Sequence, residues 1–193
     1  MNPYGIRLTR EEKVACVTFD RPGRQNALDE TMWNDMEHVL EDLRGNLPRA
    51  VVVTGAGAKA FCAGFDVQLD NPHARRFFEA IEGRDSHAIR LIIERIRSLT
   101  DALALLPVPV IAAINGLAYG GGAEIASRCD LRVMDPDAVI CFSEVRLGLM
   151  PDHGGAVGLT RLVGPSRAAD VILTARRISA PEALSMGLVN RIS

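Results

Sequence analysis

Two uninterrupted apolar runs, Ala50-Val-Val-Val-Thr54 and Val110-Ile-Ala-Ala-Ile114, constrain the fold more than any other feature of the chain. Neither alternates with polar residues, so each reads as a strand covered on both faces. Such strands need helices packed over a sheet. Stripes at helical spacing supply them. Met32, Met36, Val39, Leu40 and Leu43 recur behind Asp29, which predicts a capped helix running to about Arg44. Ile89, Ile92, Ile93, Ile96, Leu99, Leu103 and Leu106 predict a second helix, stopped by Pro107 and Pro109. Residues 123–128 open a third, and residues 157–163, 167–174 and 181–186 suggest three more. Short strands are expected at residues 14–19, 131–134 and 139–142, with a strand end or tight loop at 61–64. Residues 67–84 read as polar and irregular, and 115–122 as a glycine-rich turn. The expected class is α/β, with residues 1–193 forming a single domain.

Composition excludes several function classes. With a net charge of −2, no global field draws the chain to nucleic acid or an anionic membrane. A polyanionic ligand would need a local basic spot. No apolar run approaches membrane-spanning length, and the N-terminus carries no apolar signal stretch. Cys16, Cys62, Cys129 and Cys141 form no CxxC pair and no metal-ligand spacing. Buried reduced thiols in a cytoplasmic protein are the expectation.

Several motifs fail on context. Gly55-Ala-Gly57-Ala-Lys-Ala60 fits the loose dinucleotide pattern G-x-G-x-x-G/A, but Phe61-Cys-Ala-Gly64 follows where a helix should open. There is no GxxxxGK[ST] phosphate loop and no HExxH. Ser143, Asp152 and His153 are close in sequence, yet no GxSxG elbow supports a hydrolase.

Three segments read together as one site. Gly64 permits unusual dihedrals, so the Phe65 amide can leave a sheet ladder and face a cavity. Gly120-Gly-Gly122 precedes a helix, whose first amides lack partners and sit at its positive end, with Gly121 the best-placed donor. Two backbone donors converging on one oxygen make an oxyanion hole. Glu124 lies in the first turn of that helix, and Glu144 follows a strand. Paired carboxylates in an apolar pocket suit acid–base work, because burial raises the pKa of at least one. Each element alone has another reading. A triple glycine is often only a turn, Glu124 a dipole-favoured surface residue, Glu144 a solvated charge and Lys59 a solvated loop lysine.

In order along the chain, these stretches resemble the enoyl-CoA hydratase/isomerase (crotonase) family. The matching segments are Asp20-Arg-Pro-Gly-Arg-Gln-Asn-Ala-Leu28, Lys59-Ala-Phe-Cys-Ala-Gly-Phe-Asp66, Pro109-Val-Ile-Ala-Ala-Ile-Asn-Gly116, Gly120-Gly-Gly-Ala-Glu124, Cys129-Asp-Leu-Arg132 and Glu144-Val-Arg-Leu-Gly-Leu-Met-Pro151. Arg161-Leu-Val-Gly164, Leu173-Thr174 and Glu182-Ala-Leu-Ser-Met-Gly-Leu-Val-Asn190 complete the set. The resemblance implies a spiral of ββα units, trimers or hexamers, and an acyl-CoA substrate with no cofactor beyond its coenzyme A. It implies that the Phe65 and Gly121 amides hold the thioester carbonyl. Glu124 would orient a water and help remove its proton, and Glu144 would supply a proton to C2. Lys59 would approach the CoA phosphates, and Arg24, Gln25, Ala63 and Asp66 would flank the CoA. The expected function is hydration of a 2-enoyl-CoA. The alternatives are an enoyl-CoA isomerase on the same fold and an acyl-CoA-binding protein without turnover. RNA binding, shown by a few family members, is disfavoured by the charge.

The chain departs from the family pattern in three places. Ser143 stands where many hydratases have Pro, and Asp152 then His153 stand where many have Gly. An acid there lies near the acyl pocket in the family's architecture and would favour isomerisation, but the expectation is a loop acid that faces solvent or caps the helix from Gly155. The sequence also stops at Ser193, whereas family members continue into further helices. The expected fold is therefore the spiral with that C-terminal helical region largely missing.

Overall fold

The computed structural model describes residues 5–193. A hairpin opens it, with β1 (Gly5–Glu11) and β2 (Val14–Asp20) pairing antiparallel. α1 (Glu30–Gly45) begins at Asp29, whose side chain accepts the Met32 N–H at 3.0 Å. The predicted stripe of Met32, Met36, Val39, Leu40 and Leu43 is buried, together with Trp33.

A strand, strand, helix sequence then repeats three times. β3 (Ala50–Gly55) and β4 (Ala60–Cys62) precede α2 (Pro72–Glu82) and α3 (Ser86–Ala104). β5 (Val110–Ile114) and β6 (Leu117–Tyr119) precede α4 (Gly121–Arg128). β7 (Leu131–Met134) and β8 (Val139–Cys141) precede α5 (Gly155–Val163). The chain continues through α6 (Pro165–Thr174), β9 (Ile178–Ser179), α7 (Ala180–Ser185) and β10 (Arg191–Ile192). In each repeat the first strand joins a six-stranded sheet, ordered β1-β2-β3-β5-β7-β10, and the second joins a four-stranded sheet, ordered β4-β6-β8-β9. β3, β5 and β7 pair parallel, and so do β4, β6 and β8. Each turn of the chain therefore adds one rung to both sheets, which is a spiral of ββα units.

The two apolar runs are β3 and β5, but only one face of each is fully covered. Val51, Val53, Val110, Ala112 and Ile114 are buried, and the residues between them are half-buried. Residues 67–84 are not irregular as expected. α2 occupies most of them, with Asn71 accepting the His73 N–H at 3.1 Å and Pro72 in the first turn. The stretch 115–122 is likewise more than a turn, because β6 lies within it. Arg132 is almost fully buried. Its guanidinium donates to the carbonyls of Leu188 (2.7 Å) and Cys129 (2.5 Å), tying β7 to the segment before β10. Among the described residues no helix is long and apolar enough to cross a membrane.

Candidate active site

The parallel strands β4, β6 and β8 run side by side, so their C-terminal ends share one edge of the small sheet. Phe65, Gly121 and Glu144 each lie within three residues of one of those ends. Ligands of parallel sheets commonly gather at such an edge. Here the three positions, with Glu124, line one cavity of about 290 Å³. Its remaining wall is mostly apolar, with Phe77 and Phe78 from α2 and Ile92, Ile93 and Ile96 from α3.

Gly64 sits at φ +83°, and a Cβ there would lie 2.7 Å from the Gly121 nitrogen. Only glycine lets the two backbones approach this closely. Leu28 braces the loop from behind. Its N–H donates to the Gly64 carbonyl at 2.7 Å, and its carbonyl accepts the Asp66 N–H at 3.0 Å. This register passes over the Phe65 N–H, which has no backbone partner among the described residues. Gly121 is the first residue of α4, so its N–H is one of the amides that the helix leaves free.

Glu124 and Glu144 are both buried. Glu124 Oε2 accepts the Gly155 N–H at 2.8 Å, at the start of α5. Glu124 Oε1 and both oxygens of Glu144 have no partner among the described residues. Burial pushes the Glu124 carboxyl well above the usual range, and the adjacent Glu144 charge adds to the shift, while the Gly155 amide opposes it. Burial also raises the Glu144 carboxyl. Two nearby buried carboxylates titrate as a pair and favour holding one proton between them. That leaves one acid and one base facing the same space.

A profile of the family described as Enoyl-CoA hydratase/isomerase matches residues 9–193. The chain belongs to the enoyl-CoA hydratase/isomerase family. The short-chain-enoyl-CoA hydratase of Clostridium acetobutylicum is 41% identical over all of this chain and 70% of its own length. The solved enoyl-CoA hydratase of Bacillus anthracis superposes with a TM-score of 0.85 at 35% identity, over 97% of this chain and 69% of its own. A Thermobifida fusca protein solved in complex with acetoacetyl-CoA gives 0.82 at 32% identity, over 98% of this chain and 74% of its own. The fold is thus the crotonase spiral, and the chain spans about 70% of its relatives.

Against the hydratase/isomerase pattern, the structure brings Phe65, Gly121, Glu124, Glu144 and Ala63 to one cavity. The other flanking positions lie apart from its lining. Lys59 is exposed beyond β3. Arg24 is engaged with Asp70. Gln25 acts through its carbonyl, which accepts the Ala63 N–H at 3.0 Å. Asp66 is buried, and its carboxylate accepts Arg21 Nη1 at 2.5 Å and the Gln68 N–H at 3.1 Å. It therefore works inside the protein, locking the Phe65 loop to the segment before α1.

Asp152 corrects the sequence expectation. It neither caps α5, where Gly154 takes the cap position without a side-chain bond, nor stands free in solvent. Glu124 has claimed the Gly155 amide instead, and Asp152 lines the cavity, where burial raises its pKa. His153, weighed from the sequence only as a hydrolase partner and a departure from the family pattern, also lines the cavity. Its ring is buried, lies edge-on to Trp33 with centroids 5.8 Å apart, and is held neutral by burial, with its pKa lowered to about 4. The only sequence signal was its place beside Asp152 and before two glycines.

Proposed function

We propose that this chain hydrates a 2-enoyl-CoA. The observation that carries the reading is the pair Glu124 and Glu144, buried in one apolar cavity with three of their four oxygens unpartnered among the described residues. An acyl-CoA-binding protein without turnover has no need for two desolvated carboxylates, whose burial costs stability and is characteristic of sites where chemistry uses them. In this reading the thioester carbonyl lies against the Phe65 and Gly121 amides. Water held between the glutamates loses a proton to Glu124 as its oxygen bonds C3, and Glu144 gives a proton to C2. Charge that builds on the thioester oxygen meets the two fixed N–H donors, which need no reorganisation at that moment. Glu124 is steadied for its part by the Gly155 amide. Coenzyme A belongs to the substrate, and water addition transfers no net electrons, so the proposed chemistry asks for no redox cofactor. Lys59 approaches the CoA phosphates from the exposed rim, and a trimeric or hexameric assembly in the cytoplasm accompanies this function.

A second reading, double-bond isomerisation, is favoured by one observation: Asp152 joins the two glutamates in the cavity wall. A third acid can pass a proton between carbons without fixing water. Supplying 2-enoyl-CoA and 3-enoyl-CoA separately distinguishes the two, because hydration adds the mass of one water and isomerisation adds none.

A further inference from the structure

His153 lies between two carboxylates and offers a different ring nitrogen to each. Nε2 is 3.3 Å from Asp152 Oδ1, and Nδ1 is 3.9 Å from Glu124 Oε1. The first distance is near hydrogen-bond reach, and the second is about 1 Å longer than a hydrogen bond. Catalytic contacts of this kind commonly tighten only when ligand binds. Both facing atoms on the Glu124 side, Nδ1 and Oε1, are buried without a partner among the described residues. Such orphaned pairs are costly and ask for an explanation. Nδ1 also abuts the start of α4, since a Cβ at Gly121 would lie 2.7 Å from it. The same three residues form a set that could hold a cation. However, each carboxylate faces its own nitrogen, which is the geometry of a bridge, whereas one metal ion takes a single nitrogen from a ring.

We propose that His153 is a proton relay linking Glu124 to Asp152 along the cavity wall. The relay starts with Glu124 protonated on Oε1, the imidazole carrying its hydrogen on Nε2, and Asp152 ionised. The Oε1–H bond breaks as Nδ1–H forms, and the Nε2–H bond breaks as Asp152 gains the proton. Glu124 ends ionised, Asp152 ends neutral, and the imidazole is neutral before and after. Burial favours such a step, because it disfavours a charged imidazolium. Asp152 is the member open to solvent, with 27% of its side chain exposed, whereas Glu124 has none. Among the described residues, other charges near the ring are Glu144, beside Glu124, and Arg128, whose Nη1 reaches the His153 carbonyl at 3.4 Å and pairs with Asp101 at 2.5 Å. The purpose of the relay rests on the hydratase reading: after turnover Glu124 holds the water's proton and must lose it. Acting through Glu124, His153 is a positioning residue.

The test reads the imidazole directly and needs no turnover, so it stands even if the hydratase reading fails. In the protein with ¹⁵N-labelled histidine, the His153 signals are assigned by their loss in His153→Phe. If that variant does not fold, they are assigned through the Trp33 ring contact. Above about pH 5, as far as the protein stays folded, His153 is expected to stay neutral while its hydrogen moves from Nε2 toward Nδ1 as Glu124 ionises. In Glu124→Gln this movement is expected to vanish. A single fixed tautomer across that range in the unaltered protein, or formation of imidazolium within it, would overturn the relay. In turnover, His153→Phe is expected to lower kcat by roughly 10-fold or more with KM unchanged. An unchanged kcat would also count against it.

Discussion

Gly155 donates its N–H to Glu124 Oε2 at 2.8 Å, and a Cβ on Gly155 would sit only 2.3 Å from Glu124 Cγ. The same backbone that steadies the carboxylate therefore leaves it no room to move. Gly155→Ala must displace Glu124 or α5. An error of an ångström in a positioned group costs about 10²-fold in rate. The expected outcome is a fall in kcat of that order with acyl-CoA affinity nearly unchanged, read by steady-state kinetics and calorimetry. Full activity in a folded Gly155→Ala protein would show that this contact does not set the position of Glu124.

Glu124→Gln and Glu144→Gln are each expected to lower hydration of crotonyl-CoA by about 10²–10⁴-fold, with binding of a substrate analogue retained. Normal turnover in either variant removes that residue from the mechanism.

The Glu124 variant should also be more stable. Its folded-state pKa is raised, chiefly by burial, so below that raised value the folded protein holds a proton that the unfolded chain releases, and Glu124 can act as a base only above it. Stability from this group is present below the ordinary carboxylate pKa of about 4.5 and is lost as pH rises through the folded value. Glu124→Gln stays neutral throughout. Its melting temperature should exceed that of the parent at pH 8 and converge with it toward pH 4. A lower melting temperature at pH 8 would mean that the ionised carboxylate stabilises the fold.

How much of this was legible in the sequence depended on the range of the contact. The stripes of α1 and α3 and the runs of β3 and β5 carry their own periodicity. Gly64 and Gly121 were legible because each position excludes a side chain. α2 was not, because its buried face is only His73, Ala74, Phe77 and Ala80 among many charges. The Asn71-Pro72 pair was the signal for its start. Asp152 was misread because local capping chemistry looked sufficient, while the Gly155 amide was taken by Glu124, 31 residues away. No local pattern reports that competition.

Lys59 is the exposed cation placed to meet the CoA phosphates in the proposed function. Lys59→Ala is expected to weaken CoA binding, and more at low salt than at high salt, because counterions screen an exposed phosphate contact. Titration calorimetry at two ionic strengths reads the difference. An effect independent of salt, or none, returns Lys59 to a solvated loop residue.

If Glu124 and Glu144 direct water onto a 2-enoyl-CoA, the mass of the product records it. The protein is incubated separately with a 2-enoyl-CoA and its 3-enoyl isomer, and the thioesters are weighed by mass spectrometry. The 2-enoyl substrate is expected to gain one water, and this product to disappear in Glu144→Gln. Interconversion of the two isomers without any gain of water, abolished by Asp152→Asn, would contradict it and make Asp152 the residue that decides the reaction.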